Sequence, residues 1–179
     1  QAIKEQLAGG TSEAEVLRLL DGDSLLMEVS SASVRCALVS YRQEPGPRGD
    51  PSGFGDFTLD GAALRGVLAQ AETLGVDALW LDRWCYRWTP GEAYDHGDFC
   101  RTLSAVLFGV HAVIWLPRAK AHSKGEYGYR LWCTFEASAV RRLGLPVGVA
   151  GIGMSDFQKR VMRFGSFTPA FVGDGTLDG

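Results

Sequence analysis

Trp132 and Glu136 stand four residues apart in the segment Trp132-Cys133-Thr134-Phe135-Glu136, inside a stretch whose pattern predicts a helix from Tyr129 to Leu143 ended by Gly144. Four residues make about one helical turn, so the indole plane and the carboxylate share a face and can flank one flat ligand. Such a pair suits a nucleotide: the ring stacks on a base or a nicotinamide, and the carboxylate contacts sugar hydroxyls. A second set of residues follows from position alone. In an open parallel sheet, ligands gather outside the carboxyl ends of the strands, where strand order reverses. The residues placed there are Ser40, Tyr41 and Arg42 after the first expected strand, Asp82, Arg83, Trp84 and Cys85 after the second, and Pro117, Arg118 and Lys120 after the third. Arg42, Arg118 or Lys120 could hold phosphate, and Trp84 or Trp132 could stack.

Each of these residues also has a plainer use. A single Glu in an apolar helix is commonly a solvated acid or one paired with an arginine, and Arg130 and Arg141 are near in sequence. Trp132 is equally suited to a core, and Asp82 to a cap or an ion pair. Cys133 has an aromatic residue close by and no His base in sequence, which reads as an inert thiol. The run Gly148-Val149-Ala150-Gly151-Ile152-Gly153 has the wrong spacing for a phosphate-binding glycine loop and reads as a turn. Arg48-Gly49-Asp50 is a turn tripeptide in a loop of breakers.

The elements that must carry these side chains alternate. The first twenty residues read as helical, with Thr11-Ser12-Glu13-Ala14 resembling a capping box ahead of Val16, Leu17, Leu19 and Leu20, and are taken as an N-terminal helical extension over 1–32. Residues 33–41 form a buried strand, followed by a loop from Gln43 to about Phe57 with Pro45, Gly46, Pro47, Gly49, Pro51, Gly53 and Gly55. Asp60 can cap a helix bearing Leu64, Val67, Leu68, Ala71 and Leu74, which Gly75 stops. A strand over 76–81, a helix with Phe99, Leu103, Val106, Leu107 and Val110, and a strand over 111–116 follow. Beyond the Tyr129–Leu143 helix come a strand beginning at Leu145, a helix with Phe157, Val161 and Phe164, and a last strand at Ala170-Phe171-Val172. Strands and helices recurring in this way imply an α/β domain over 33–179 with a central parallel sheet and helices on both faces.

Composition bounds the function. The chain has 179 residues, 46% hydrophobic and 22% charged, enough for one core, and a formal net charge of only −3 with both signs interspersed. No broad cationic face for nucleic acid or anionic lipid follows from that pattern. No apolar run approaches the ~20 residues that span a bilayer, and no signal peptide opens the chain, so a cytoplasmic protein is expected. Gln1 in place of an initiator Met suggests a piece of a longer polypeptide with further domains as partners. Cys36, Cys85, Cys100 and Cys133 lie too far apart for a zinc knuckle, and reduced thiols with no bound metal are expected; His96, His111 and His122 do not complete a ligand set.

The ordered set of segments resembles the TIR domain superfamily. Ala37-Leu38-Val39-Ser40-Tyr41-Arg42 resembles its first strand, which ends in Ser, an aromatic residue and Arg; Leu74-Gly75-Val76 leading to Leu81-Asp82 resembles its second. Leu103-Ser104-Ala105-Val106, Ala112-Val113-Ile114-Trp115-Leu116 and Trp132-Cys133-Thr134-Phe135-Glu136 resemble the third block with its Trp-Cys-x-x-Glu helix start. The match covers residues 33 to 150. Leu79-Trp80-Leu81-Asp82-Arg83-Trp84-Cys85 is also similar to a block of the related fungal heterokaryon-incompatibility domains, although Tyr86-Arg87 stands where they carry Asn-Gln. The resemblance implies a flavodoxin-like three-layer sandwich and cleavage of the nicotinamide glycosidic bond of NAD+, a substrate and not a resident cofactor. Glu136 would be catalytic, with Ser40, Tyr41, Arg42, Asp82, Trp84 and Trp132 shaping the nucleotide site. It further implies self-association, a signalling, immunity or cell-death role, and a gating loop at 84–98 rich in Trp84, Tyr86, Trp88 and Tyr94. The alternative kept beside it is a catalytically inactive interaction or scaffold module of the same fold.

Overall fold

The computed structural model describes residues 2–22, 24–26, 34–41, 61–86, 95–116 and 131–151. Among the described residues four strands form one parallel sheet in the order β2-β1-β3-β4, where β1 is Cys36–Tyr41, β2 Ala78–Trp80, β3 Ala112–Leu116 and β4 Val147–Val149. The helices are α1 (Ala2–Ala8), α2 (Glu13–Asp21), α3 (Gly61–Thr73), α4 (Asp82–Cys85), α5 (His96–Gly109) and α6 (Leu131–Leu143). The chain is therefore an α/β protein with an all-parallel sheet, as strand and helix alternation implied. Among the described residues no helix is long and apolar enough to cross a membrane.

Side-chain alternation along the strands sorts the core into two clusters. Ala37, Val39 and Tyr41 of β1 and Ala112, Ile114 and Leu116 of β3 pack with Val16 and Leu20 of α2, Leu64, Val67 and Ala71 of α3, and Leu81 and Trp84. Leu38 of β1 and Val113 of β3 pack instead with Phe99, Leu103 and Leu107 of α5, Val110, and Val140 of α6. Strands buried on both sides explain the near-continuous apolar runs of β1 and β3.

The helix ends are fixed by local chemistry. What reads in sequence as one N-terminal helix is two, parted at Gly9-Gly10, where Gly10 takes φ +90°. Ser12 caps α2 by accepting the Glu15 N–H at 3.3 Å. At the end of α3 the Val76 N–H donates to the Ala71 carbonyl at 3.0 Å while Gly75 takes φ +62°. That stop consumes Val76, so β2 starts at Ala78 and is shorter than its apolar run. Asp95, not picked out in the sequence, caps α5 by accepting the Asp98 N–H at 3.0 Å. Val147, Gly148 and Val149 form β4 within the strand expected from Leu145, and of the glycine run Gly151 supplies the bend with φ +86°. The Gly/Pro loop, Asp60, and the helix and strand expected after residue 152 lie outside the described residues.

Val16 is 0% and Leu20 5% exposed in the first core cluster, so α2 contributes to the same core as β1 and α3.

Candidate functional site

The sheet order locates the place to look. From β1 the chain moves to one side to make β2, then crosses back to make β3 on the other side, so the order reverses between β1 and β3. The two strands are in register to their last residues, with Ser40 opposite Trp115 and Tyr41 opposite Leu116. Ser40 and Tyr41 thus stand at the carboxyl end of β1, beside the reversal point, with side chains on opposite faces of the sheet.

On one face, Ser40 follows Leu38 and is 2% exposed, the one polar side chain in the buried class among the described residues. Its hydroxyl donates a short hydrogen bond to Glu136 Oε2. The helix places Glu136 there because Val140, four residues on and 2% exposed, belongs to the core-facing stripe of α6. An acid on that stripe loses most of its hydration. Burial pushes the Glu136 carboxyl up to about 8, against the opposing pull of the Ser40 hydrogen bond and with a further upward push from the Asp82 charge. That upward push favours the protonated carboxyl at neutral pH.

On the other face, the Tyr41 hydroxyl donates to Asp82 Oδ1, which also accepts the Arg83 N–H at 2.8 Å. Asp82 opens the one-turn helix α4 directly after β2 and Leu81. The carboxyl end of β1 is therefore bracketed by two carboxyl groups, Glu136 held by Ser40 and Asp82 held by Tyr41. The two acids stand on opposite faces of one strand end, each accepting from a hydroxyl of a consecutive β1 residue.

The site residues expected from the sequence divide as follows. Ser40 and Glu136 are brought into contact, as are Tyr41 and Asp82, and the two pairs adjoin on consecutive β1 residues. Trp84 is 8% exposed in the first core cluster, and its indole N–H donates to Asp21 Oδ1 at 2.9 Å. The indole N–H thus faces α2. Trp132 lies on α6 one turn before Glu136, with its side chain outside the described residues, and Arg42, Arg118 and Lys120 also lie outside them.

No family model, curated protein or solved structure matches this chain. The functional reading rests on the geometry at β1 and on the motif resemblance.

Sequence reasoning passed over Asp21. The one signal it carried is an acid in the last turn of a helix, where the macrodipole disfavours negative charge. Its contacts on α4 offset that cost: the hydrogen bond from the Trp84 indole and an ion pair with Arg83 at 3.7 Å. Both contacts end on the same carboxylate oxygen, which solvent screens, but the indole is buried and lies closer, at 2.9 Å. The indole is the stronger hold.

Other chemistry is weaker. Among the described residues no group of three or more His, Cys, Asp or Glu side chains is arranged for a metal. His111 Nδ1 accepts the Cys36 N–H at 3.3 Å, and His122 is outside the described residues. Cys36, Cys85 and Cys100 are free thiols. Burial, with the neighbouring Cys85, pushes Cys36 up to about 11, and burial raises Cys85 as well, so neither is a ready nucleophile.

Proposed function

We propose that this chain is a TIR-like α/β domain of flavodoxin-like three-layer arrangement that cleaves the nicotinamide glycosidic bond of NAD+. The observation that carries the reading is the Ser40–Glu136 contact: it sets a buried carboxyl at the carboxyl end of β1, beside the point where strand order reverses. That crevice is where open parallel sheets take nucleotides, and Glu136 is the acid that the motif resemblance marks as catalytic.

The chemistry is consistent with a carboxyl that starts protonated. A pyridinium cation entering beside Glu136 favours the ionised form, so binding expels the proton and leaves a carboxylate facing the ribose. As the C1′–N bond breaks, its electron pair passes to the ring nitrogen and nicotinamide departs neutral without an acid. The carboxylate stabilises the oxocarbenium-like centre. Water then adds at C1′ and gives its proton to the carboxylate, yielding ADP-ribose; attack by the adenine ring would give a cyclic product instead. Asp82 and Tyr41 shape the opposite side of the strand end, and Arg42 and Trp132 are proposed to bind phosphate and ring. Self-association, a cytoplasmic setting and a role in signalling or cell death belong to the same proposal.

The test is nicotinamide release by concentrated or artificially clustered protein. Activity is expected, with Glu136→Ala lowering it by a hundredfold or more, on the order of what loss of a principal electrostatic group costs; activity that survives Glu136→Ala refutes the assignment.

One observation favours a second reading. The Glu136 carboxyl is satisfied inward by Ser40, as a structural acid would be, and this fits a catalytically inactive interaction or scaffold module. A ligand that prefers the native state must raise the melting temperature. No rise at millimolar NAD+, with self-association retained, selects the module.

A further inference from the structure

We propose that Asp21, the last residue of α2, is a positioning residue for the site: by accepting the Trp84 indole N–H it fixes α4, and through α4 the Asp82 carboxylate beside the end of β1. The inference goes beyond the glycosidic reading, because it gives the N-terminal helices a part in the site whatever substrate is bound.

A helix of one turn has too few internal hydrogen bonds to hold itself. Within α4 the Cys85 N–H reaches the Leu81 carbonyl at 2.8 Å and the Tyr86 N–H the Asp82 carbonyl at 2.9 Å. The Leu81 N–H meets the Cys85 sulfur at 3.4 Å. Three contacts orient α4 on the rest of the protein: Tyr41 of β1 bonds Asp82, Tyr86 at its end donates to Asp98 of α5 at 2.9 Å, and Trp84 packs in the first core cluster with Val16 and Leu20 of α2 and bonds Asp21 at 2.9 Å. Arg83 faces the same carboxylate at 3.7 Å, with side chains 36% and 56% exposed, so that pair is screened and secondary. Asp82 is the first residue of this turn and is bonded by Tyr41. Its charge also acts on Glu136 across the strand end. Asp21, Trp84, Asp82 and Tyr41 thus form one line of contacts from α2 to β1, and Ser40 continues it to Glu136.

Three measurements on the full chain test this, none of them using NAD+, so failure here is separate from failure of the glycosidic reading. The first is the titration midpoint of the Glu136 carboxyl, followed by carbon NMR and assigned by its absence in Glu136→Gln. In Asp21→Ala, α4 loses its tie to α2 and Asp82 is held by Tyr41 in a looser turn, so the midpoint is expected to fall by at least about 0.3 pH unit. Asp21→Asn keeps the acceptor oxygen and is expected to hold the midpoint near its original value. A folded Asp21→Ala protein with an unmoved midpoint overturns the proposal, as does an Asn variant that moves as far as Ala. The second is Trp84→Phe, which removes only the indole donor and its outer ring; the same downward movement is expected, and an unmoved midpoint again overturns it. The third needs no substitution: in hydrogen exchange the Cys85 and Tyr86 amides are expected to open together with those of α2. Exchange of α4 while α2 stays protected overturns the proposal.

Discussion

Replacing Glu136 by Gln turns the buried acid into a probe of its own environment. Gln keeps the size of the protonated carboxyl but cannot ionise, and the Ser40 hydroxyl can rotate to donate or accept. Below about pH 4.5 the acid is protonated in both folded and unfolded chains. Between 4.5 and about 8 the folded chain still holds the proton while the unfolded chain has released it. The folded state then binds more protons, so stability from this group falls as pH rises, by about 1.4 kcal/mol per pH unit. The whole interval corresponds to at most about 5 kcal/mol, and water entering around the ionised group reduces the realised figure to about 2–5 kcal/mol. Urea unfolding of both proteins at pH 5, 7 and 9 measures it, since titrating groups that do not interact with Glu136 cancel in the difference and Asp82, which does, enters as part of the same coupled site. Glu136→Gln is expected to gain on the unsubstituted protein from pH 5 to about pH 8 and to level off above it, whatever constant offset the new amide introduces. A difference that stays flat across that range refutes the buried, protonated acid and the chemistry built on it.

Two further outcomes follow from the core and the thiols. Leu103 is 0% exposed between α5 and the sheet, so Leu103→Ala is expected to cost about 2–5 kcal/mol in urea unfolding, with the slope unchanged. With Cys36 pushed to about 11 against an ordinary 9.0, its thiolate fraction at pH 8 falls about a hundredfold, and alkylation mapped by mass spectrometry should be slower by at least that factor in native protein than in urea.

Much of the fold is legible because it is written locally. The apolar runs of β1 and β3, the spacing of Leu64, Val67 and Ala71, and the stops at Gly75 and Gly144 each follow from a few neighbouring residues. Elements too short for a period are not legible in this way: α4 spans four residues and shows no periodicity to read. The two faces of the site differ in the same sense. Residue type and strand position pointed to Ser40, Tyr41, Asp82 and Glu136 separately, but the Ser40–Glu136 bond joins residues 96 apart and the Trp84–Asp21 bond residues 63 apart. Such pairings are fixed by strand order and by which helix covers which face, information that no local window contains.

The physics of the strand end ties protonation to ligand charge. A buried acid beside a second carboxylate resists ionising because burial outweighs the Ser40 hydrogen bond, which offsets the lost hydration only in part. A cationic ring placed against it supplies that missing compensation, so the same burial that keeps Glu136 neutral when empty makes the site prefer a cation when it ionises. A neutral ligand of similar shape brings no such compensation. Binding of a pyridinium nucleotide should therefore release a proton below about pH 8, whereas its reduced, neutral counterpart should release none, and calorimetry in buffers of different ionisation enthalpy separates the two. Proton release that is the same for both forms would sever the link between the buried acid and a cationic substrate.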